Sequence, residues 1–102
     1  MTATGHPRAV FKRAIARGNL AVAEAMVREI GRASLEETLE LTALIAVKER
    51  HRYERVAARW LRLYLDERAV SLDDVVFVVA CLKQLGGPHH LAALGVLRAA
   101  AA

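Results

Sequence analysis

The sequence predicts an all-α domain: a short right-handed stack of helix pairs with five or six helices, the alternative being a closed six-helix bundle. Three observations predict it. The phrase Ser-Leu-acid-acid occurs twice, at Ser34-Leu35-Glu36-Glu37 and at Ser71-Leu72-Asp73-Asp74, and each copy opens a long apolar stretch. The two copies are offset by 37 positions (71 minus 34), within the roughly 20–50 residues typical of helical repeats. Apolar residues elsewhere recur at helical spacing between breaks at Gly18, Gly31 and Gly86-Gly87. Finally, Ala, Leu, Arg and Glu dominate, all good helix formers, and only two prolines interrupt them.

Each element has its own warrant. Pro7 suits a helix first turn, where its missing N–H is not needed. Val10, Phe11, Ala14 and Ile15 then share a face until Gly18 stops the helix in a left-handed conformation. Asn19 caps a second helix, Leu20 to Ile30, after a two-residue corner. Ser34 and Glu37 form a capping box for a third helix, Leu35 to Lys48, which is apolar nearly all round and so is covered on several sides. Glu49-Arg50-His51-Arg52 reads as a polar connector. A fourth helix, Tyr53 to Glu67, carries the stripe Val56, Ala57, Trp60, Leu61, Tyr64 and Leu65. Ser71 and Asp74 cap a fifth, Leu72 to Leu85. Its run Val75-Val76-Phe77-Val78-Val79 favours a strand in isolation, but the cap, the length and the parallel with helix three assign it as helix. Pro88 restarts the chain for a sixth helix to about Ala99. The repeat so read pairs helices two and three, then four and five, with helices one and six as end caps.

The 102 residues suit one domain, spanning 1–102, with a flexible N-terminus at 1–6 and a frayed tail at 99–102. Hydrophobic residues make up 55% of the chain and charged residues 25%, enough for one core without metal or disulfide staples. The single cysteine, Cys81, excludes an internal disulfide and a cysteine-based zinc site and fits a reduced, cytoplasmic compartment. No secretory h-region follows Met1, and the longest nearly uncharged run, Val75 to Leu82, is too short for a bilayer. Met1 at one end and an alanine tail at the other read as a complete small gene product. The Ala/Arg/Val/Leu bias fits a GC-rich bacterial genome.

The segment Ala14-Ile15-Ala16-Arg17-Gly18-Asn19-Leu20-Ala21-Val22-Ala23 resembles the corner of a tetratricopeptide-type hairpin, in which a glycine on one helix meets alanines on the next. The resemblance covers that corner alone. It implies protein or peptide binding and no catalysis.

Candidate chemistry is sparse. Formal net charge is +4. Arg52, Arg55, Arg59 and Arg62 fall within an arc of about 80° on helix four, a line that suits a phosphate backbone or an acidic partner; Glu54, Asp66 and Glu67 dilute it, and the bland reading is a solvated face. A helix-turn-helix reader would turn at Gly18-Asn19, but the following helix offers one base-reading residue where several are needed. His6, His51, His89 and His90 supply no convergent metal set. Glu36-Glu37 and Asp73-Asp74 sit in helix first turns, where capping and the macrodipole explain them. Cys81 lies in the most apolar helix, a structural position rather than a nucleophile's. Trp60 and Tyr64 belong to the core stripe before they belong to any peptide groove. The alanine tail resembles tags read by housekeeping proteases, but fits a fraying helix end better.

These observations point away from an enzyme, with no cofactor and no metal. They favour a non-enzymatic interaction module that binds a protein partner or itself, with nucleic-acid binding through the arginine stripe as runner-up. A six-helix domain can surround one all-round apolar helix but hardly two, so helix five or six should carry an association surface. The expected residues are Val76, Val79 and Lys83, or Leu94 and Leu97, in a homodimer or a partner complex.

Overall fold

The computed structural model describes residues 6–102 and contains six helices: α1 (Pro7–Arg17), α2 (Leu20–Ile30), α3 (Leu35–Lys48), α4 (Arg50–Glu67), α5 (Leu72–Gln84) and α6 (His90–Ala101). No strand occurs among the described residues. Both capping boxes form. Ser34 Oγ accepts the Glu37 N–H at 3.0 Å while Glu37 accepts the Ser34 N–H at 2.8 Å. Ser71 and Asp74 exchange the same two bonds at 3.1 and 3.2 Å. These local bonds hold α3 and α5 to the starts read from the sequence, and the β-branched run of α5 is helical throughout.

The helices pair as α1–α2, α3–α4 and α5–α6, which corrects the phase of the repeat. The connectors explain the first two pairs, whereas α5 and α6 pair across the longer turn at 85–89. Gly18-Asn19 and the single residue Glu49 turn the chain so tightly that the flanking helices must lie against each other. The two Ser-acid boxes instead end longer connectors between hairpins. Each box therefore opens a hairpin rather than sitting inside one. α3 also packs on α1, α2 and α6, which makes it the hub of the stack. The extents, 47 × 29 × 21 Å, suit three hairpins laid side by side.

α4 begins at Arg50, so the expected polar connector is helix apart from Glu49. Arg52 holds that first turn: it donates to Glu49 at 2.6 Å and, in bidentate fashion, to Glu24 of α2 at 2.6 and 3.2 Å. At the other end, α6 runs to Ala101 rather than fraying from Ala99. Ala101 is buried, and Arg68 donates to its carbonyl at 2.7 Å and to that of Ala102 at 3.2 Å. The expected flexible segment 1–6 lies outside the described residues except for His6, whose Nδ1 accepts the Arg8 N–H at the start of α1.

The larger core joins α3, α4, α5 and α6 around Leu39, Trp60, Leu85 and Leu97. Trp60 stacks on Tyr64 with centroids 5.5 Å apart, and its Nε1 donates to the Leu35 carbonyl at 3.0 Å. That settles both aromatics in the core. Gly86, at φ +83°, carries the α5–α6 turn against α3; a Cβ there would stand 2.7 Å from the Ala46 carbonyl oxygen. A smaller cluster of Phe11, Ala14 and Ala23 joins α1 to α2.

Candidate interaction surface

α5 is apolar nearly all round, and the fold covers only one side of it. Val78, Cys81 and Leu82 face inward, with Leu85 just beyond the helix end. Leu72, Val76 and Phe77 keep 77%, 60% and 58% of their surface in water. Val76 lies one turn beyond Leu72 on the outward side, and Phe77, about 100° further round the helix, forms the flank of the same exposed surface. Ala80 and Lys83 are also exposed and continue that face toward the C-terminus of the helix.

Beside this face runs a groove of ≈ 480 Å³ between α4 and α5. Ala57, Ala58, Leu61, Val79 and Leu82 line it, with Arg50, Glu54 and Lys83 as its polar members. Its origin is the way α4 meets α5, which is through side chains rather than close backbone approach. Tyr53 Oη donates to the Leu82 carbonyl at 2.5 Å, and Arg50 Nη1 donates to the Leu85 carbonyl at 2.6 Å. The guanidinium of Arg50 also lies 4.8 Å from the centre of the Tyr53 ring. The Leu82 carbonyl already accepts the Leu85 N–H at 3.3 Å, so Tyr53 adds a second bond there, while Arg50 holds the Leu85 carbonyl just beyond the helix end. Burial pushes the Tyr53 phenol up to about 12, against the opposing pull of the Arg50 charge.

Of the expected association residues, Val76 and Lys83 are exposed and Val79 is half-buried in the groove wall. Leu94 and Leu97 are core residues, which removes them from any association surface. α6 turns Leu91 and Val96 outward instead. Leu72 and Phe77 were not singled out from the sequence. The sequence carries no signal for them, because α5 is apolar nearly all round and only the packing shows that Val78, Cys81, Leu82 and Leu85 face inward.

The arginine stripe is divided. Arg52 is committed to Glu24 and Glu49, and the Arg52 guanidinium holds the Glu24 carboxyl below its usual range. Arg55, Arg59 and Arg62 are exposed and form no ion pair among the described residues. Other arginines act as staples. Arg8 pairs with Glu37 at 2.9 Å, and Arg98 grips Glu40 with two bonds at 2.7 and 2.9 Å. Burial raises the Glu37 carboxyl, but the Ser34 N–H and Arg8 outweigh it and leave it lowered.

Among the described residues no cluster of three or more His, Cys, Asp or Glu could hold a metal ion. His90 Nδ1 accepts the Gly86 N–H at 2.8 Å, a capping role in the α5–α6 turn. Cys81 is buried, and burial pushes its thiol up, away from the thiolate a nucleophile needs. No helix among the described residues is long and apolar enough to cross a membrane. No family model, no curated protein and no solved structure matches the chain.

Proposed function

We propose that this chain is a non-enzymatic helical interaction module, an adaptor in the style of tetratricopeptide hairpins, that acts by apolar association through the outer face of α5. The observation that carries the reading is the exposure of Leu72, Val76 and Phe77 together on one helix, beside a groove with an apolar floor. Contiguous apolar patches of a few hundred Å² on a small domain normally mark a contact surface. An exposed large aromatic such as Phe77 is the kind of anchor that dominates binding energy when a partner covers it. The expected compartment is the cytoplasm, in keeping with the lone, buried Cys81.

The test compares the unmodified chain with the Val76→Glu/Phe77→Glu double variant in affinity capture and light scattering. The reading requires at least one association, with self or with another protein, that the double variant loses while circular dichroism stays unchanged. Associations equally strong in both chains would overturn it.

A second reading rests on Arg55, Arg59 and Arg62, three exposed cations on one helix face with no ion pair among the described residues. Three phosphate contacts give weak, salt-sensitive and sequence-blind nucleic-acid binding. The commitment of Arg52 shortens the stripe and favours the first reading. Tight duplex or single-strand binding in moderate salt, abolished by Arg55→Glu/Arg59→Glu, would reverse the order.

A further inference from the structure

We infer that the occupant of the α5 face is a second copy of this chain, paired through two antiparallel α5 helices about a two-fold axis near residue 78. The inference rests on the interaction reading above and names its partner. The ends of the exposed face carry opposite charges. Asp73 lies in the acidic first turn of α5 and Lys83 in its basic last turn. Neither forms an ion pair among the described residues. An antiparallel copy sharing this axis sets Asp73 opposite the partner's Lys83, because 73 and 83 are equidistant from 78. The pair occurs twice by symmetry, and the helix macrodipoles oppose each other favourably. A parallel copy would align like charges.

Size matches charge. The same axis brings Val76 opposite Ala80 of the second copy, a larger side chain against a smaller one. It also places Phe77 of each copy beside the axis, where two aromatic rings can pack offset. An isologous contact demands this self-complementarity, and a heterologous partner does not.

The available area sets the strength. Leu72, Val76 and Phe77 together expose on the order of 350 Å² per copy. Doubled, with the flanking polar residues included, the contact is near the roughly 1,000 Å² lower bound for a specific interface. The resulting dimer is weak, with a dissociation constant of about 1–100 µM, and its population changes over ordinary laboratory concentrations.

Sedimentation velocity of the full chain from about 1 µM to 1 mM tests this. The unmodified chain should pass from monomer to dimer across the series. Phe77→Glu should stay monomeric, and Val76→Glu serves the same purpose if Phe77→Glu does not fold. Asp73→Lys and Lys83→Asp should each weaken the dimer about tenfold or more, since each reverses two charge pairs. Their combination should restore it to within about threefold, which requires the antiparallel register. A chain monomeric throughout, or a combined variant weaker than either single variant, overturns the inference. If the chain is monomeric and capture of another protein still depends on Val76 and Phe77, only self-pairing fails. If that dependence is also absent, the interaction reading fails with it.

Discussion

Replacing Tyr53 by Phe should make the protein less stable at neutral pH and more stable than the original at high pH. The hydroxyl donates to the Leu82 carbonyl at 2.5 Å from a buried ring. Its removal does not orphan that carbonyl, which also accepts the Leu85 N–H at 3.3 Å. The ring stays, and with it the packing and the contact with Arg50. The cost at pH 7 is therefore that of one hydrogen bond, about 1 kcal/mol. The phenol titrates near 10.0 in the unfolded chain and near 12 in the folded one. A raised folded value means stability is complete below pH 10 and is lost as pH rises toward 12, because the unfolded chain releases its proton first. A shift of that size corresponds to about 2.7 kcal/mol when the loss is complete, and about half of that at pH 11. The loss at pH 11 already exceeds the hydrogen-bond cost, so the two stability curves should cross a little below pH 11. Urea denaturation of both chains at intervals from pH 7 to pH 11 measures this. All other titrating groups are common to the pair and cancel in the difference. A stability gap that stays constant over the range would refute the argument.

Ser34→Ala and Ser71→Ala should each cost about 0.5–2 kcal/mol in denaturant unfolding, because each breaks a capping box at a hairpin start. Gly86→Ala should cost about 2 kcal/mol or more, since φ +83° strains any side chain and the added Cβ meets the Ala46 carbonyl; thermal melts would show it, and a change within error would show the turn is free to move. The lowered carboxyls of Glu24 and Glu37 contribute stability that is present above pH 4.5 and lost as pH falls through their folded values. Arg52→Ala and Arg8→Ala should each flatten this acid limb in denaturation between pH 5 and pH 2.

What the sequence disclosed was local chemistry. The starts of α3 and α5 were legible because a capping box closes within four residues, and the ends of α1 and α2 because a glycine follows each. The β-branched run of α5 could be assigned as helix because Ser71 and Asp74 announce a helix in front of it. Relations between distant positions were not legible. The early start of α4 depends on Arg52 reaching Glu24, 28 residues away, and on Arg50 reaching Leu85, 35 residues away. The same pairing took Arg52 out of the basic stripe. The hairpin phase is not legible because the Ser-acid boxes mark helix starts without saying which neighbour each helix folds against. The faces of α5 and α6 posed the same problem. When apolar residues surround a helix, periodicity cannot say which side is inside. That ambiguity hides from the sequence that Leu94 and Leu97 are core and that Leu72 and Phe77 are exposed.

The most direct measurement is site-specific photo-crosslinking in the full chain, with a benzophenone amino acid in place of Phe77 and, separately, in place of Arg59. Both positions are exposed helix surface, so equal reactivity toward bulk solvent cancels. The account predicts a discrete protein adduct at position 77, of twice the chain mass if the α5 face pairs with itself, and none at position 59. A nucleic-acid or protein adduct at position 59 with none at position 77 would contradict it.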